Sequence, residues 1–425
     1  MAYTIKKLSR ANGELTVPGD KSISHRAVML GALADGTTRI RGFLRGADCL
    51  STIDCFRRMG IETEDNGDEI IVRGKGLNGL SRPSGILYTG NSGTTTRLLC
   101  GILAPQDFDS VITGDASICR RPMDRVTEPL SRMGARIDGS FCPLHIHGTR
   151  LHGTEYHMPV ASAQVKTALI LAALRAEGET VIYEKERSRD HTELMLSAMG
   201  ADIRIEGTKI TVRPAQSLKA QDVIVPGDIS SAAFFMVLAA IMPDSCVRIN
   251  NVGVNPTRTG IIDVLREMGA DIELVNGRVS SGESAADIIV RSSRLRGTVI
   301  GGEIIPRLID ELPVIAAAAV FAEGETVIRD AQELKVKESN RISAAVTEFG
   351  KCGIDITETD DGMIIRGGRP VHGADFVTRG DHRMAMSLAV LAQMAEGTST
   401  IDDADCVSVS YPEFFNDLYS LGGEN

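Results

Sequence analysis

Much that would assign a class to this 425-residue chain is missing from it. No apolar run exceeds about 12 residues, against the roughly 20 that cross a bilayer, so no membrane partner is expected. The N-terminus (MAYTIKKLSRANGELTV) has neither an apolar secretion signal nor an Arg/Ser-rich transit segment. No basic tail or stripe stands out, and the net charge of −10 argues against nucleic acid as the main partner. Eight cysteines occur without a C-x-x-C pair or zinc spacing, so they read as buried reduced thiols of a cytoplasmic protein. There is no Walker A sequence. The stretch Gly74–Gly79 fits G-x-G-x-x-G, but Ser81-Arg82-Pro83 follows where a helix should begin, so a dinucleotide site is rejected. His145, His147, His152 and His157 lie close together, with His145 and His147 on one strand face. A His-rich surface hairpin explains them, and no metal is expected.

What the chain does have is repetition. Six nearly apolar runs stand at 26–34, 97–104, 166–176, 231–242, 312–322 and 383–395. Each precedes a strand and then an amphipathic helix ending near glycine, at Met59-Gly60, Met133-Gly134, Met199-Gly200, Met268-Gly269, Cys352-Gly353 and Leu421-Gly422. The period is roughly 70 residues, about twice that of common solenoid repeats, which points to a few large units. A helix apolar all round must be enclosed on all sides. The expected fold is therefore α/β and inside-out: two domains of three repeated units, with buried helices inside and sheets and amphipathic helices outside.

The string VPGDKS at 17–22 returns as VPGDIS at 225–230, each just before a buried helix. One domain should span 20–225 and the other 1–19 plus 226–425. The chain then crosses twice, at Pro18-Gly19 and Pro226-Gly227, and this paired crossing reads as a hinge about which the halves close.

The copies differ at the starts of the buried helices: PGDKSISHR, TGNSGTTTR, VASAQVK, VPGDISS, IPRLIDE and TRGDHR. Ser, Thr and Asp there suit N-capping, which suffices for Asp228 and Ser230. Parallel repeats would also aim the helix N-termini of one domain the same way, each carrying about half a positive charge. With Lys21, Arg26, Arg97, Lys166, Arg307 and Arg383 beside those ends, a small multiply charged anion is the expected ligand. A second tier comes from Arg120-Arg121, Ser188-Arg189 and the run Lys335–Arg341. In that run Lys337 and Arg341 are like charges one helical turn apart, a pair that an anionic ligand would relieve. Asp310, beside Glu311, is placed to accept a proton from a substrate hydroxyl.

These motifs resemble those of the 5-enolpyruvylshikimate-3-phosphate synthase family. The likeness runs almost end to end through GDKSISHRA at 19–27, GNSGTTTR at 90–97, RRPMD at 120–124, SAQVK at 162–166, IDELP at 309–313, KVKESNR at 335–341 and GDHRMAM at 380–386. The resemblance implies transfer of the carboxyvinyl group of phosphoenolpyruvate to the 5-hydroxyl of shikimate 3-phosphate, with release of phosphate. The route is addition and elimination through a tetrahedral intermediate, with no cofactor and no metal, in aromatic amino acid biosynthesis. It also implies roles for residues. Lys21, Gly93, Arg121, Gln164, Arg341 and Arg383 would hold phosphoenolpyruvate. Lys21, Ser22, Arg26, Ser162, Gln164, Ser188, Asp310 and Lys337 would hold shikimate 3-phosphate. Asp310 would take the hydroxyl proton, and Lys21 and Glu338 would serve proton transfer at the methylene carbon. A cytoplasmic monomer is expected.

Three departures resemble the family's divergent second bacterial class: Ser162-Ala163-Gln164 in place of Ser-Ser-Gln, Glu333 in place of Asn, and no lysine ahead of Tyr411-Pro412. They leave glyphosate sensitivity open. The alternatives are the related enolpyruvyl transferase acting on UDP-N-acetylglucosamine, which uses a loop cysteine and would give Cys119 that role, and a non-catalytic anion-binding repeat protein.

Overall fold

The apolar runs build six helices: Lys21–Leu33, Gly93–Leu103, Ala163–Ala173, Ile229–Ile241, Leu312–Phe321 and His382–Met394. The structure is a computed structural model that describes residues 2–280 and 282–423. Most of these helices begin ahead of their apolar run because a short polar side chain caps them. Asp20 accepts from the Ile23 N–H at 2.9 Å, Ser92 from Thr95 at 3.0 Å, and Ser162 from Val165 at 3.4 Å. Asp228 accepts from Ser230 at 2.9 Å and Asp381 from Arg383 at 3.0 Å. Leu312–Phe321 instead carries Pro313 in its first turn, where a missing N–H costs nothing. Every residue of Ile229–Ile241 is buried, as a helix apolar on all faces requires.

The chain divides into two compact α/β units. One comprises Gly19–Val225 with the hairpin tip Val279–Glu283. The other takes the N-terminal 18 residues, Pro226–Arg278 and Ser284 onward. Each encloses three of the buried helices within its own apolar core. Inside the Gly19–Val225 unit, Gly93–Leu103 packs on Ala163–Ala173 and on Lys21–Leu33. In the other unit Ile229–Ile241, Leu312–Phe321 and His382–Met394 pack on one another.

Among the described residues, five four-stranded sheets and one three-stranded sheet surround the helices. The four-stranded sheets share one pattern: a short strand lies parallel to a longer one, which pairs antiparallel with a hairpin. In the second copy Leu87–Tyr88 runs parallel to Ser110–Thr113, with Leu87 opposite Ile112, and Ser110–Thr113 pairs with Leu144–His147. Three copies draw a strand from far along the chain. Val223–Ile224 lies parallel to Asp35–Arg41, Asn12–Thr16 lies parallel to Cys246–Gly253, and Tyr3–Thr4 pairs with Thr400–Ile401. Each unit is thereby closed by its own ends.

The amphipathic helices are Ala47–Arg58, Asp124–Arg132, His191–Ala198, Gly260–Glu267, Arg341–Gly350 and Phe414–Ser420. Five stop at a glycine with positive φ: Gly60, Gly134, Gly200, Gly269 and Gly353. At the first, Ile61 N–H reaches Phe56 C=O and Gly60 N–H reaches Arg57 C=O, both at 3.0 Å, a closure that favours glycine at the left-handed position. The sixth differs from expectation, since the positive φ falls at Gly423 rather than at Gly422. No helix among the described residues is long and apolar enough to cross a membrane.

Candidate active site

In the Gly19–Val225 unit, polar side chains gather where the buried helices begin. Lys21 opens the first helix, and its Nζ lies 2.5 Å from Asp48 Oδ2 on Ala47–Arg58. One turn on, Arg26 donates to Thr192 Oγ1 at 2.7 Å, Thr167 Oγ1 at 3.0 Å and the Ser22 carbonyl at 2.9 Å. Burial lowers its guanidinium pKa to about 10, so it stays charged at neutral pH. His25, fully buried, bonds Thr52 Oγ1 at 2.7 Å. The chain continues through Thr52–Thr95 and Thr95–Ser92, each at 2.7 Å, and so ties the first buried helix to the cap of the second. Burial, with Lys21 and Arg26 nearby, holds His25 well below its ordinary pKa, and it is neutral.

At the second buried helix two guanidinium groups close over Gly93. A Cβ there would lie 2.8 Å from one Arg97 nitrogen and 3.3 Å from one of Arg121. Arg97 donates to Gln164 Oε1 at 2.7 Å, and Gln164 donates to Thr94 Oγ1 at 3.1 Å. Arg121 donates to Asn91 Oδ1 at 2.7 Å. Gly93, Arg121 and Gln164 are thus held as one group, with Arg97 as a member. Ser162 caps the third helix just ahead of Gln164.

The other unit carries a second cluster, dense in charge. Asp310 Oδ1 lies 3.3 Å from Lys337 Nζ and 3.4 Å from Arg341, and Asp310 Oδ2 lies 4.0 Å from Arg383. Arg341 is 1% exposed. It meets Asp381 through Nε at 2.9 Å and a second nitrogen at 3.2 Å, and Glu338 at 2.6 Å. Burial alone would lower the Arg341 pKa, but Asp381, Glu338 and Asp310 outweigh it and raise it. Burial alone would likewise raise Asp381, yet Arg341 holds that carboxyl below its usual range. Asp310, Lys337, Glu338, Arg341 and Arg383 therefore occupy one site. Such a cluster suits an anionic ligand whose hydroxyl meets a carboxylate among cations.

Two of the cations expected at helix starts are used elsewhere. Lys166 is fully buried, with Nζ 3.0 Å from Glu184 and 2.7 Å from Glu193, so its charge is matched within the protein. Arg307 turns to Asp263 at 2.6 Å and to the Pro256 carbonyl at 2.8 Å. Asp228 caps its helix and also meets Arg258 at 3.2 Å, in a buried group with Ser230 and Glu311. Sequence reasoning missed Asp381 as the partner of Arg341, Asp48 as that of Lys21, and Asn91 as that of Arg121. Each is a polar residue inside a recognised motif or helix, but only the fold shows what it touches.

A family model described as EPSP synthase (3-phosphoshikimate 1-carboxyvinyltransferase) matches residues 5–418. The chain belongs to the EPSP synthase family. A 3-phosphoshikimate 1-carboxyvinyltransferase of Thermoanaerobacter sp. (strain X514) is 56% identical over 418 residues, covering 98% of this chain and 99% of that protein. One of Bacillus cereus (strain ZK / E33L) is 57% identical over 414 residues, 96% of each chain. A solved EPSP synthase from Acinetobacter baumannii superposes with a TM-score of 0.88 at 45% identity, covering 99% of this chain and 98% of that one.

The residues ahead of the C-terminus are built into the core. Tyr411 is fully buried, bonds Asp417 at 2.7 Å and packs edge-on against Phe235 and Phe414. Cys119 is half-buried in the short turn Ile118–Arg120 with its Sγ 3.5 Å from the Gly114 carbonyl. His147, on the expected hairpin, bonds Asp138 at 3.0 Å, which raises its pKa.

Proposed function

We propose a division of labour between the two clusters in the reaction that family membership gives this chain. The chain transfers the enolpyruvyl group of phosphoenolpyruvate to shikimate 3-phosphate in the shikimate pathway. In the proposal, Lys21, Gly93, Arg121 and Gln164 in one unit, and Arg341 and Arg383 in the other, bind phosphoenolpyruvate. Lys21, Ser22, Arg26, Ser162, Gln164 and Ser188, together with Asp310 and Lys337, bind shikimate 3-phosphate.

The observation that carries this reading is the setting of Asp310: a nearly buried carboxylate with Lys337, Arg341 and Arg383 within 4.0 Å. Asp310 takes the proton of the 5-hydroxyl as its oxygen attacks C2 of phosphoenolpyruvate, and a proton is delivered to the methylene carbon. That gives a tetrahedral adduct. Loss of a proton from the methyl group and of phosphate from C2 then restores the double bond. Lys21 and Glu338 are the candidates for the carbon-directed transfers. Lys21 has a carboxylate neighbour in Asp48 and Glu338 a guanidinium neighbour in Arg341, so each has a charged partner that steadies its position. General acid–base help of this kind is worth about 10²–10⁴-fold.

The decisive experiment gives purified protein both substrates and measures phosphate. Release with both, and none with either alone, is expected; no release under conditions where each binds would end the transferase reading. We place the enzyme in the cytoplasm, a reading supported by eight free thiols, and take it as a monomer, which light scattering of the purified protein tests.

A further inference from the structure

Ser188, carried over as a contact to shikimate 3-phosphate, is gripped from below by Glu184. Its Oγ–H and its backbone N–H (3.2 Å) both donate to Glu184 Oε1, and its carbonyl accepts from Lys166 Nζ at 3.3 Å. All four residues of the group, Lys166, Glu184, Ser188 and Glu193, are at least nine-tenths buried. Two carboxylates around one ammonium in an apolar interior are a costly arrangement, since a single carboxylate matches the charge. Glu193 is at the shorter distance, 2.7 Å against 3.0 Å for Glu184. Glu184 shares one oxygen with Lys166 at 3.0 Å and gives the other to Ser188.

The same group reaches a second contact. Arg26 bonds Thr167 and Thr192, which follow Lys166 and precede Glu193 in the chain. Thr167 and Thr192 also bond each other at 2.8 Å.

We infer that Glu184 is a positioning residue for shikimate 3-phosphate: it fixes the turn that presents Ser188, with Lys166 as its buried counter-ion. When a substrate oxygen arrives, the Ser188 hydroxyl turns from Glu184 to that oxygen, and Lys166 continues to neutralise the carboxylate left behind. The inference rests on the proposed assignment of Ser188 to this substrate.

The test is calorimetric titration of the whole protein with shikimate 3-phosphate alone, for wild type, Ser188→Ala, Glu184→Ala and the double variant. Glu184→Ala leaves Lys166 paired with Glu193, so no buried charge is stranded. Should it fail to fold, Glu184→Asp takes its place, keeping the charge but withdrawing the oxygen from Ser188. Each single change should weaken binding about tenfold. The double variant should be no weaker than the singles, because one contact is lost only once. Glu184→Gln, which keeps an acceptor in position, should restore most of the affinity. Losses that multiply to about a hundredfold would overturn the inference, since Glu184 would then act apart from Ser188. Wild-type binding by Glu184→Ala beside weakened binding by Ser188→Ala would also overturn it while leaving the Ser188 assignment intact. Wild-type binding by Ser188→Ala would remove that assignment and this inference together, yet phosphate release by the wild type would still uphold the transferase reading.

Discussion

Arg341 and Asp381 meet side-on in the interior, Nε to Oδ2 at 2.9 Å and a second nitrogen to Oδ1 at 3.2 Å. The same Asp381 caps the helix that carries Arg383 and accepts from Ser339 at 2.9 Å. One carboxylate therefore fixes two of the proposed phosphoenolpyruvate contacts, one through its charge and one through a helix start.

Asp381→Ala should destabilise its unit by about 3 kcal/mol, toward the lower end for breaking a buried pair because Glu338 and Asp310 still face Arg341. Denaturant melts measure the loss. The pH dependence follows from a carboxyl held below its usual range. Its stabilisation is present above the unfolded value of about 4 and is lost as pH falls through the lower folded value. Asp381→Asn should flatten that acid limb of the stability curve.

His25 should contribute a separate acid sensitivity at higher pH. Its folded pKa lies well below the ordinary value, so the unfolded chain takes up a proton that the folded chain refuses. Stability should therefore fall as pH drops below about 6.5 and go on falling toward the folded value. His25→Asn, retaining a group that can reach Thr52, should remove this slope in melts taken between pH 7 and pH 5; an unchanged slope would show that another group causes it.

Gly93→Ala should raise the KM for phosphoenolpyruvate about tenfold, the equivalent of roughly 1.4 kcal/mol. The added methyl would stand 2.8 Å from Arg97 and 3.3 Å from Arg121, and both are flexible side-chain ends that can move aside. Steady-state kinetics should show the effect on phosphoenolpyruvate alone, with little change in the melting temperature.

Asp310→Asn should lower kcat by about 10²–10⁴-fold and the affinity for shikimate 3-phosphate far less. The amide keeps the size of the side chain but cannot take the hydroxyl proton. Turnover at the wild-type rate would rule out the proposed role.

The sixfold pattern was legible because it rests on local physics. An apolar run must be enclosed, a short polar residue caps it, and a glycine ends the amphipathic helix. The motifs at the helix starts marked the polar residues for the same reason. What sequence could not show was which charge meets which. Lys166 looked like Lys21 on the page, a cation at a helix start. Only the fold brings up Glu184 and Glu193, 18 and 27 residues further along, to consume its charge. Arg341 and Asp381 are likewise 40 residues apart, a separation no periodicity encodes. One borrowed strand escaped for a similar reason, since Val223–Ile224 is too short to announce its pairing with Asp35–Arg41.

Those borrowed strands also set an order of events during synthesis. The Gly19–Val225 unit holds nearly all its parts once Val223–Ile224 has left the ribosome, and it can fold while the rest is being made. The first strands wait: Asn12–Thr16 for Cys246–Gly253, and Tyr3–Thr4 for Thr400–Ile401. At roughly 5–20 residues per second, Tyr3–Thr4 remains without its partner for on the order of 20–80 s. Tyr3–Thr4 is thus made long before the strand that builds it in.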